Sequence, residues 1–347
     1  MVLPSSPVRG PDRGVVAWLA VLFGLVLAMV MVGGITRLTG SGLSMVEWRP
    51  LMGALPPMGD AEWQVVFDAY KTSPQYQLVN HWMTLADFKT IFFWEYFHRL
   101  MGRLIGVAFF LPWLWFVVRR RLRGRLALHT ATIFVLGGLQ GLLGWYMVKS
   151  GLADEPAVSH YRLAAHLMLA FLVGQWILWT LLDLVSPTDK EGTPHRGLTL
   201  GAWAVVATVA VQCVWGAFMA GKRAGTVAST FPDMNGEWIP LGLGALDPAW
   251  INALDNPVAI HFVHRVLGYV VVLVAALWSW RAWRRASSPR QRRAAGAVGV
   301  AALAQFALGA LTVIWSVPVS VATVHQGGAL VLLSLALYGA HAFSRRG

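Results

Sequence analysis

Charged residues and cysteine are both scarce in this sequence of 347 residues. Only 13% of the residues are charged, whereas about 25% is usual for a soluble domain, and 56% are hydrophobic, with a mean hydropathy of +0.57. The single cysteine, Cys213, lies in an apolar run and excludes an intramolecular disulfide or a cysteine-based metal cluster. Composition therefore predicts an all-α integral membrane protein with several spans.

Acidic residues are also few, and the formal net charge is +12. A soluble chain this basic would suggest a nucleic-acid partner, but in a membrane protein basic residues gather in the loops on the cytoplasmic side. We therefore expect membrane lipid, and no nucleic acid, around this chain.

Eight apolar segments are long enough to span a bilayer. They cover residues 15–36, 91–118, 126–148, 160–182, 199–220, 258–280, 296–315 and 320–342. The first segment is too long for the apolar region of a typical signal peptide, and no small-x-small cleavage site follows it, so it is interpreted as a retained span.

Lysine and arginine are unevenly distributed between the two sets of loops. Seventeen fall on the side that carries both termini and eight on the other side. This bias predicts cytoplasmic termini and two long outer loops, 37–90 and 221–257, in the plasma (inner) membrane of a bacterium.

Landmarks recur in the same order in the two halves of the chain. They are Arg37 and Arg223 after the first spans, Glu47-Trp48-Arg49-Pro50 and Glu237-Trp238-Ile239-Pro240 in the long loops, His98-Arg99 and His264-Arg265 in the second spans, Gln140 and Gln305 in the third, and His166 and His325 in the fourth. The repetition predicts two four-helix bundles of the same topology, related by a pseudo-twofold axis along the membrane normal.

These landmarks also predict how the chain is divided into tails, bundles and a linker. It comprises a cytoplasmic tail (1–14), an N-terminal bundle (15–182), a cytoplasmic linker (183–198), a C-terminal bundle (199–342) and a second tail (343–347).

Four histidines occupy equivalent positions, a short distance into spans that enter from the outer side. They are His98, His166, His264 and His325. Imidazoles inside a helix bundle without cysteine ligands favour porphyrin iron held by two histidines on facing helices. We expect His98 to pair with His166 and His264 with His325, all toward the periplasmic side. For any one of them alone, a buried histidine that hydrogen-bonds a neighbouring helix would be the simpler interpretation.

Other metals are the alternative at these histidines. Zinc or copper would need three or four ligands that converge on one point. A di-iron site would need further glutamates, but Glu95 is the only acid in the predicted spans.

Glu95 lies one helical turn before His98, where the second half has His261 before His264. An acid here could shuttle protons or stabilise positive charge at the porphyrin edge, although an ordinary ion pair with Arg99 would also explain it. The asymmetry predicts one catalytic and one supporting site. Arg99, Arg265, Arg37 and Arg223 are candidates for binding haem propionates, and snorkelling to the interface is the alternative for such arginines.

Together, the Glu-x-x-His-Arg motif at 95–99, the second His-Arg pair at 264–265 and Val324-His325-Gln326 resemble the haem A synthase family over essentially the whole chain. The loops look closest to those of its alphaproteobacterial and mitochondrial branch, without the outer-loop cysteine pair of some bacterial members. The resemblance implies oxidation of a methyl group of haem O to the formyl group of haem A, by successive hydroxylations, for terminal oxidases. It implies that His98 and His166 hold the substrate haem, that Glu95 acts beside it, and that His264 and His325 ligate a resident haem B.

The partners that the resemblance implies are an electron donor, ferredoxin-like or other, a haem O-producing farnesyltransferase and cytochrome oxidase assembly factors. A homo-oligomer is left open. Two other functions use the same histidines, a diheme b-type cytochrome that exchanges electrons with quinone and a haem transporter or chaperone. A diheme cytochrome usually stacks its haems across the bilayer, whereas all four histidines are expected here at one depth.

Overall fold

Eight long helices dominate the computed structural model, which describes residues 12–46, 55–151, 156–186 and 194–344. They are α1 (Arg13–Leu38), α3 (Leu85–Val118), α4 (Gly124–Gly151), α5 (His160–Val185), α6 (Arg196–Gly221), α8 (Pro257–Arg285), α9 (Pro289–Ile314) and α10 (Val319–Phe343). The short helices α2 (Asp60–Lys71) and α7 (Asn252–Asp255) lie in the two long loops. Each long helix is apolar enough to cross a membrane, which confirms the prediction of eight spans.

Sequence signals at the helix starts explain several of these bounds. Thr84 and Asp87 form a capping box at α3, and the side chains of Asn256 and Ser288 cap α8 and α9, each of which has proline in its first turn. The capped helices begin before their apolar runs. For that reason α3 starts at Leu85 and not at 91, and α9 starts at Pro289 and not at 296.

The extra turns of α3 pack against the first long loop. Tyr70 and Phe67 of α2 contact Phe88 and Phe92 of α3 in a buried aromatic cluster, and Tyr70 is fully buried. The Tyr70 hydroxyl donates to Gln75 and accepts from Asn80. The described part of this loop is therefore a packed cap on α3.

Each half of the chain shows the same order of neighbouring helices. In the first half α1 packs on α3, α3 on α4, α4 on α5, and α5 back on α1. In the second half α6, α8, α9 and α10 pack in the same cyclic order, and α1, α5, α6 and α10 form the contact between the halves. This arrangement agrees with the predicted repeat, and the pseudo-twofold axis and the division into bundles at 15–182 and 199–342 stay predictions.

The ends of the predicted linker and tails differ slightly from the observed helices. Helix α5 continues to Val185, α6 begins at Arg196, and α1 begins at Arg13. The motif Glu47-Trp48-Arg49-Pro50 and Lys190 lie outside the described residues.

Two tryptophans of the long helices pack inside the protein. Trp18 and Trp278 are buried between helices, and their indole nitrogens donate to the carbonyl oxygens of Ala108 (3.0 Å) and Leu198 (2.8 Å). Burial satisfies both the large apolar ring and its single donor.

The contact between the halves is close where α5 begins and α6 ends. Gly221 lies so near His160 that a Cβ atom there would be 2.3 Å from the His160 Cβ. Nearby, Lys222 pairs with Asp255 (2.9 Å), which also accepts from the Tyr161 hydroxyl. Burial raises the pKa of Asp255, but the hydrogen bonds from Tyr161 and Lys222 and the charge of Lys222 outweigh burial and leave this pKa below its usual value.

Replacing Gly221 by alanine is expected to destabilise the protein by about 1–3 kcal/mol, because the added methyl group overlaps backbone-proximal atoms of His160 that cannot rotate away. Thermal unfolding of the detergent-purified protein measures the effect. Gly24→Ala is the matched control, since a Cβ at Gly24 meets nothing within 4 Å. Equal melting temperatures for the two variants would contradict this prediction.

Candidate functional site

The structure brings the four candidate histidines together in the two expected pairs. His98 of α3 lies close enough to His166 of α5 for an electrostatic interaction, and His264 of α8 is similarly close to His325 of α10. All four imidazoles are half-buried. The pairing therefore joins the second and fourth long helices of each half.

One histidine occupies a different place along its helix. His98 is the fourteenth residue of α3, whereas the other three are the seventh or eighth residues of their helices. The difference equals the additional turns by which α3 reaches into the first long loop. Distance from the helix start therefore does not measure the depth of His98 as it does for the other three.

Each imidazole packs against a glycine of the preceding long helix. A Cβ atom would lie 3.1 Å from His98 at Gly33, 2.9 Å from His166 at Gly144, 3.3 Å from His264 at Gly216 and 3.0 Å from His325 at Gly309, in each case at Cε1 of the ring. A larger residue at Gly144 would force the ring to shift, and at the other three positions it would make a tight contact with the ring. The glycines set the position of each ring between two helices.

Three of the histidines also have a glutamine beside them, four residues before the glycine. The Nε2 atoms of Gln140, Gln212 and Gln305 donate to the backbone carbonyl oxygens of His166 (3.0 Å), His264 (3.0 Å) and His325 (2.7 Å). The same nitrogen atoms lie 3.1–3.4 Å from a ring nitrogen of each histidine. Each glutamine thus joins the helix of its histidine to the preceding long helix.

Sequence reasoning missed Gln212, Gly216 and Gly33 as members of these sites. The signal was present, because Gln-x-x-x-Gly occurs at 140–144, 212–216 and 305–309, each time in the span that precedes a candidate histidine. Only the first and third of these had been recognised as equivalent.

The donor set fits haem ligation. Buried Nδ1 atoms of His98, His166 and His264 have no hydrogen-bond partner among the described residues, although a buried imidazole nitrogen normally finds one. An axial ligand needs one such nitrogen for iron. Among the same residues, no three His, Cys, Asp or Glu side chains converge in a way that could hold a metal ion, so the zinc, copper and di-iron alternatives find no site there.

Glu95 is almost fully buried and makes contacts through both carboxylate oxygens. Oε2 accepts from the Ser44 hydroxyl (2.7 Å) and the Met45 backbone N–H (2.8 Å), and Oε1 accepts from Arg99 in an ion pair. The simple pairing with Arg99 is therefore present. The acid is also bound to the first long loop, which positions it beside His98.

His261, at the position equivalent to Glu95, is fully buried and accepts from Arg265 Nε at 3.0 Å. Arg265 further donates to the carbonyl oxygens of Asp233 (2.6 Å) and Thr230 (2.9 Å), just as Arg99 donates to that of Met45 (3.0 Å). Outside the helix, a hydrogen bond from the Thr230 hydroxyl lowers the pKa of Asp233. The two sites thus share one framework in which a neutral imidazole replaces a carboxylate.

Arg99, Arg265 and Arg37 form hydrogen bonds within the protein and do not simply reach toward the membrane interface. Arg99 and Arg265 bind the long loop that precedes their own helix, and Arg37 donates to the carbonyl oxygens of Ala220 and Gly221 at the end of α6. Carbonyls at a helix end have no partner within the helix, so Arg37 supplies one across the contact between the halves. Arg223 lies nearby with an exposed side chain. Propionate binding by these four arginines stays a prediction.

Comparison with known proteins identifies a family. The family described as "Cytochrome oxidase assembly protein" matches residues 16–337. A curated relative from Rhodospirillum centenum, named "Heme A synthase", is 46% identical over 98% of this chain and 92% of its own length. Relatives of the same name from Parvibaculum lavamentivorans (46%, covering 94% of each chain) and Nitrosomonas eutropha (43%, covering 92% of this chain and 91% of the relative) agree. A match of this extent, at this identity, means that the chain belongs to the haem A synthase family.

Proposed function

We propose that this chain oxidises a methyl group of haem O to the formyl group of haem A in its N-terminal half, and that its C-terminal half holds haem B. The reaction is that of the family, with haem O as substrate and haem A as product. His98 and His166 would hold the substrate, and His264 and His325 the haem B. Iron bound at these histidines supplies the oxidising power that an unactivated methyl group requires.

The difference between Glu95 and His261 is the observation that supports this assignment. Both residues lie one turn before a candidate ligand and both pair with the arginine four residues later, but only Glu95 brings a carboxylate. A site that changes its substrate needs a group that responds to developing charge, whereas a site that only relays electrons does not.

The contacts of Glu95 favour a role in charge stabilisation over proton shuttling. Its two oxygens accept from Ser44, Met45 and Arg99, so the carboxylate is held in one position and orientation. A fixed carboxylate can instead stabilise positive charge that develops at the porphyrin edge during oxidation of the methyl group. The loop that holds Glu95 also covers this end of α3 and keeps water from the acid.

The chain is a multi-pass membrane protein by its eight apolar helices and its family. Cytoplasmic termini, haem sites toward the periplasm and a location in the bacterial inner membrane complete the proposal. The proposal also includes a separate electron donor, supply of haem O by a farnesyltransferase, and transfer of haem A to factors that assemble terminal oxidases.

Porphyrin extraction tests this function. Protein purified from cells that also make haem O is expected to release haem B together with haem O or haem A, identified by mass. Haem B alone, at two per chain and with no haem A formed, would instead support the diheme cytochrome.

A further inference from the structure

One of the four histidines lacks the glutamine that accompanies the others. Met29 stands four residues before Gly33, in the place that Gln140, Gln212 and Gln305 hold before their glycines. The structure gives Met29 the same position in space. Its Cε lies 3.4 Å from where a Cβ of Gly102 would be, and Gln212 Nε2 lies 3.6 Å from the corresponding point at Gly268. Gly102 and Gly268 each follow their histidine by four residues.

The exchange removes a specific interaction. A glutamine amide donates to the histidine backbone and has a carbonyl oxygen that can accept from a ring N–H, whereas a thioether has no N–H and is only a weak acceptor. In the structure the glutamine atom beside each ring is Nε2, which donates to the histidine carbonyl oxygen and lies 3.1–3.4 Å from a ring nitrogen. Contacts of this kind from a neighbouring helix hold a metal-ligating imidazole in one orientation.

His98 is therefore the least constrained of the four rings. Among the described residues, the Nδ1 atoms of His166 and His264 are as unpartnered as that of His98, but Met29 has no N–H to donate to the backbone or ring of His98 as a glutamine would. Gly33 keeps the ring in place by shape alone, with Cε1 3.1 Å from the point where a Cβ would be.

We propose that Met29 makes His98 the exchangeable axial ligand, so that iron in the N-terminal half opens on the His98 side while the other three ligands stay bound. The inference rests on the proposed function, because it takes His98 and His166 as ligands. Iron held by two imidazoles has no free position, so a site that reacts must release one of them. A site that relays electrons keeps both. Met29 is a positioning residue in this scheme, and Glu95 lies one helical turn from the ligand that is released.

Binding of carbon monoxide to the reduced, haem-loaded protein tests the inference, because this gas binds only where an axial ligand leaves. In the unaltered protein we expect fast binding at one haem, and this binding disappears together with that haem in His98→Ala and in His166→Ala. Met29→Gln is expected to slow that binding by about 10- to 100-fold, the usual size of an effect from a residue that supports a metal ligand. Gln212→Met is expected to open the haem of the C-terminal half, which does not bind the gas in the unaltered protein.

Met29→Leu is the matched control, because it changes the same position without adding an amide, and it should keep the unaltered binding rate. Electron paramagnetic resonance of the oxidised protein gives a second readout, since Met29→Gln should shift one low-spin signal and leave the other. If Met29→Gln loses haem B and is misfolded, Gln140→Met makes the same test in the opposite direction and should speed binding.

These experiments distinguish failure of this inference from failure of the proposed function. Equal binding rates in Met29→Gln, Met29→Leu and the unaltered protein, all with normal haem content, would overturn the inference alone. Unchanged haem content in both His98→Ala and His166→Ala would overturn ligation in this half, and with it the proposed function.

Discussion

Glu95→Ala abolishes haem A formation, with a loss of about 100-fold or more, the scale measured when one preorganised electrostatic group is removed from an active site. Haem B content per chain is expected to stay that of the unaltered protein. Among the described residues, the polar contacts of Glu95 are with Ser44, Met45 and Arg99 of the first long loop and α3, so its removal should leave the C-terminal half intact. The measurement is porphyrin mass analysis of membranes supplied with haem O.

Glu95→Gln separates charge from packing. The amide oxygen can still accept from Ser44 and Met45, so the loop should stay in place, but the negative charge is gone. If the charge acts on the reaction, both variants lose product. Product formation by Glu95→Gln at close to the unaltered rate would make Glu95 a structural residue. Loss of haem B from either variant would lead to the same conclusion.

Alanine variants of the four histidines are expected to divide into two classes. His264→Ala and His325→Ala lose haem B, while His98→Ala and His166→Ala keep haem B and lose haem O and haem A. The reason is the pairing, because each ring is close to one partner in its own half and is held there by the preceding helix. Removing one of two axial ligands leaves a single imidazole to retain the iron.

Haem content per chain, resolved by porphyrin mass, measures this division. His129→Ala is the matched control. His129 also lies in a long helix, but it contacts Thr180 and Trp176 and none of the four candidate ligands. It should keep both haems. Loss of the same haem from a variant in each half would show that the sites are not separate and would contradict the assignment of one pair to each half.

The eight spans followed from the sequence because hydropathy is a local property. In a bilayer every backbone polar group must be paired within the segment, so a long apolar run can only be a helix. Because hydropathy is a local property, it also misplaced the ends of some helices. Helix α3 begins at Leu85 because a polar capping box and contacts with α2 extend it beyond its apolar run.

The repeated histidines also followed from the sequence, since their spacing within the chain reveals a duplication without any coordinates. The residues that surround these histidines could not be identified from the sequence. Trp18 and Trp278 lie in apolar runs, and only the packing shows that they are buried between helices. Gln212 lies far from His264 along the chain, so their contact required the fold.

Glu95 illustrates the difference between what the sequence shows and what the folded structure adds. The amino-acid sequence is enough to show that a carboxylate stands one turn before His98 and that a histidine stands at the matching place in the second half, because spacing along a helix sets which residues share a face. The contacts of the carboxylate become visible only in the folded protein. Its hydrogen bonds to Ser44 and Met45, and the methionine that replaces a glutamine beside His98, depend on how separate helices and a long loop meet. Such contacts join residues distant in the chain, and a pattern read along one sequence does not contain them.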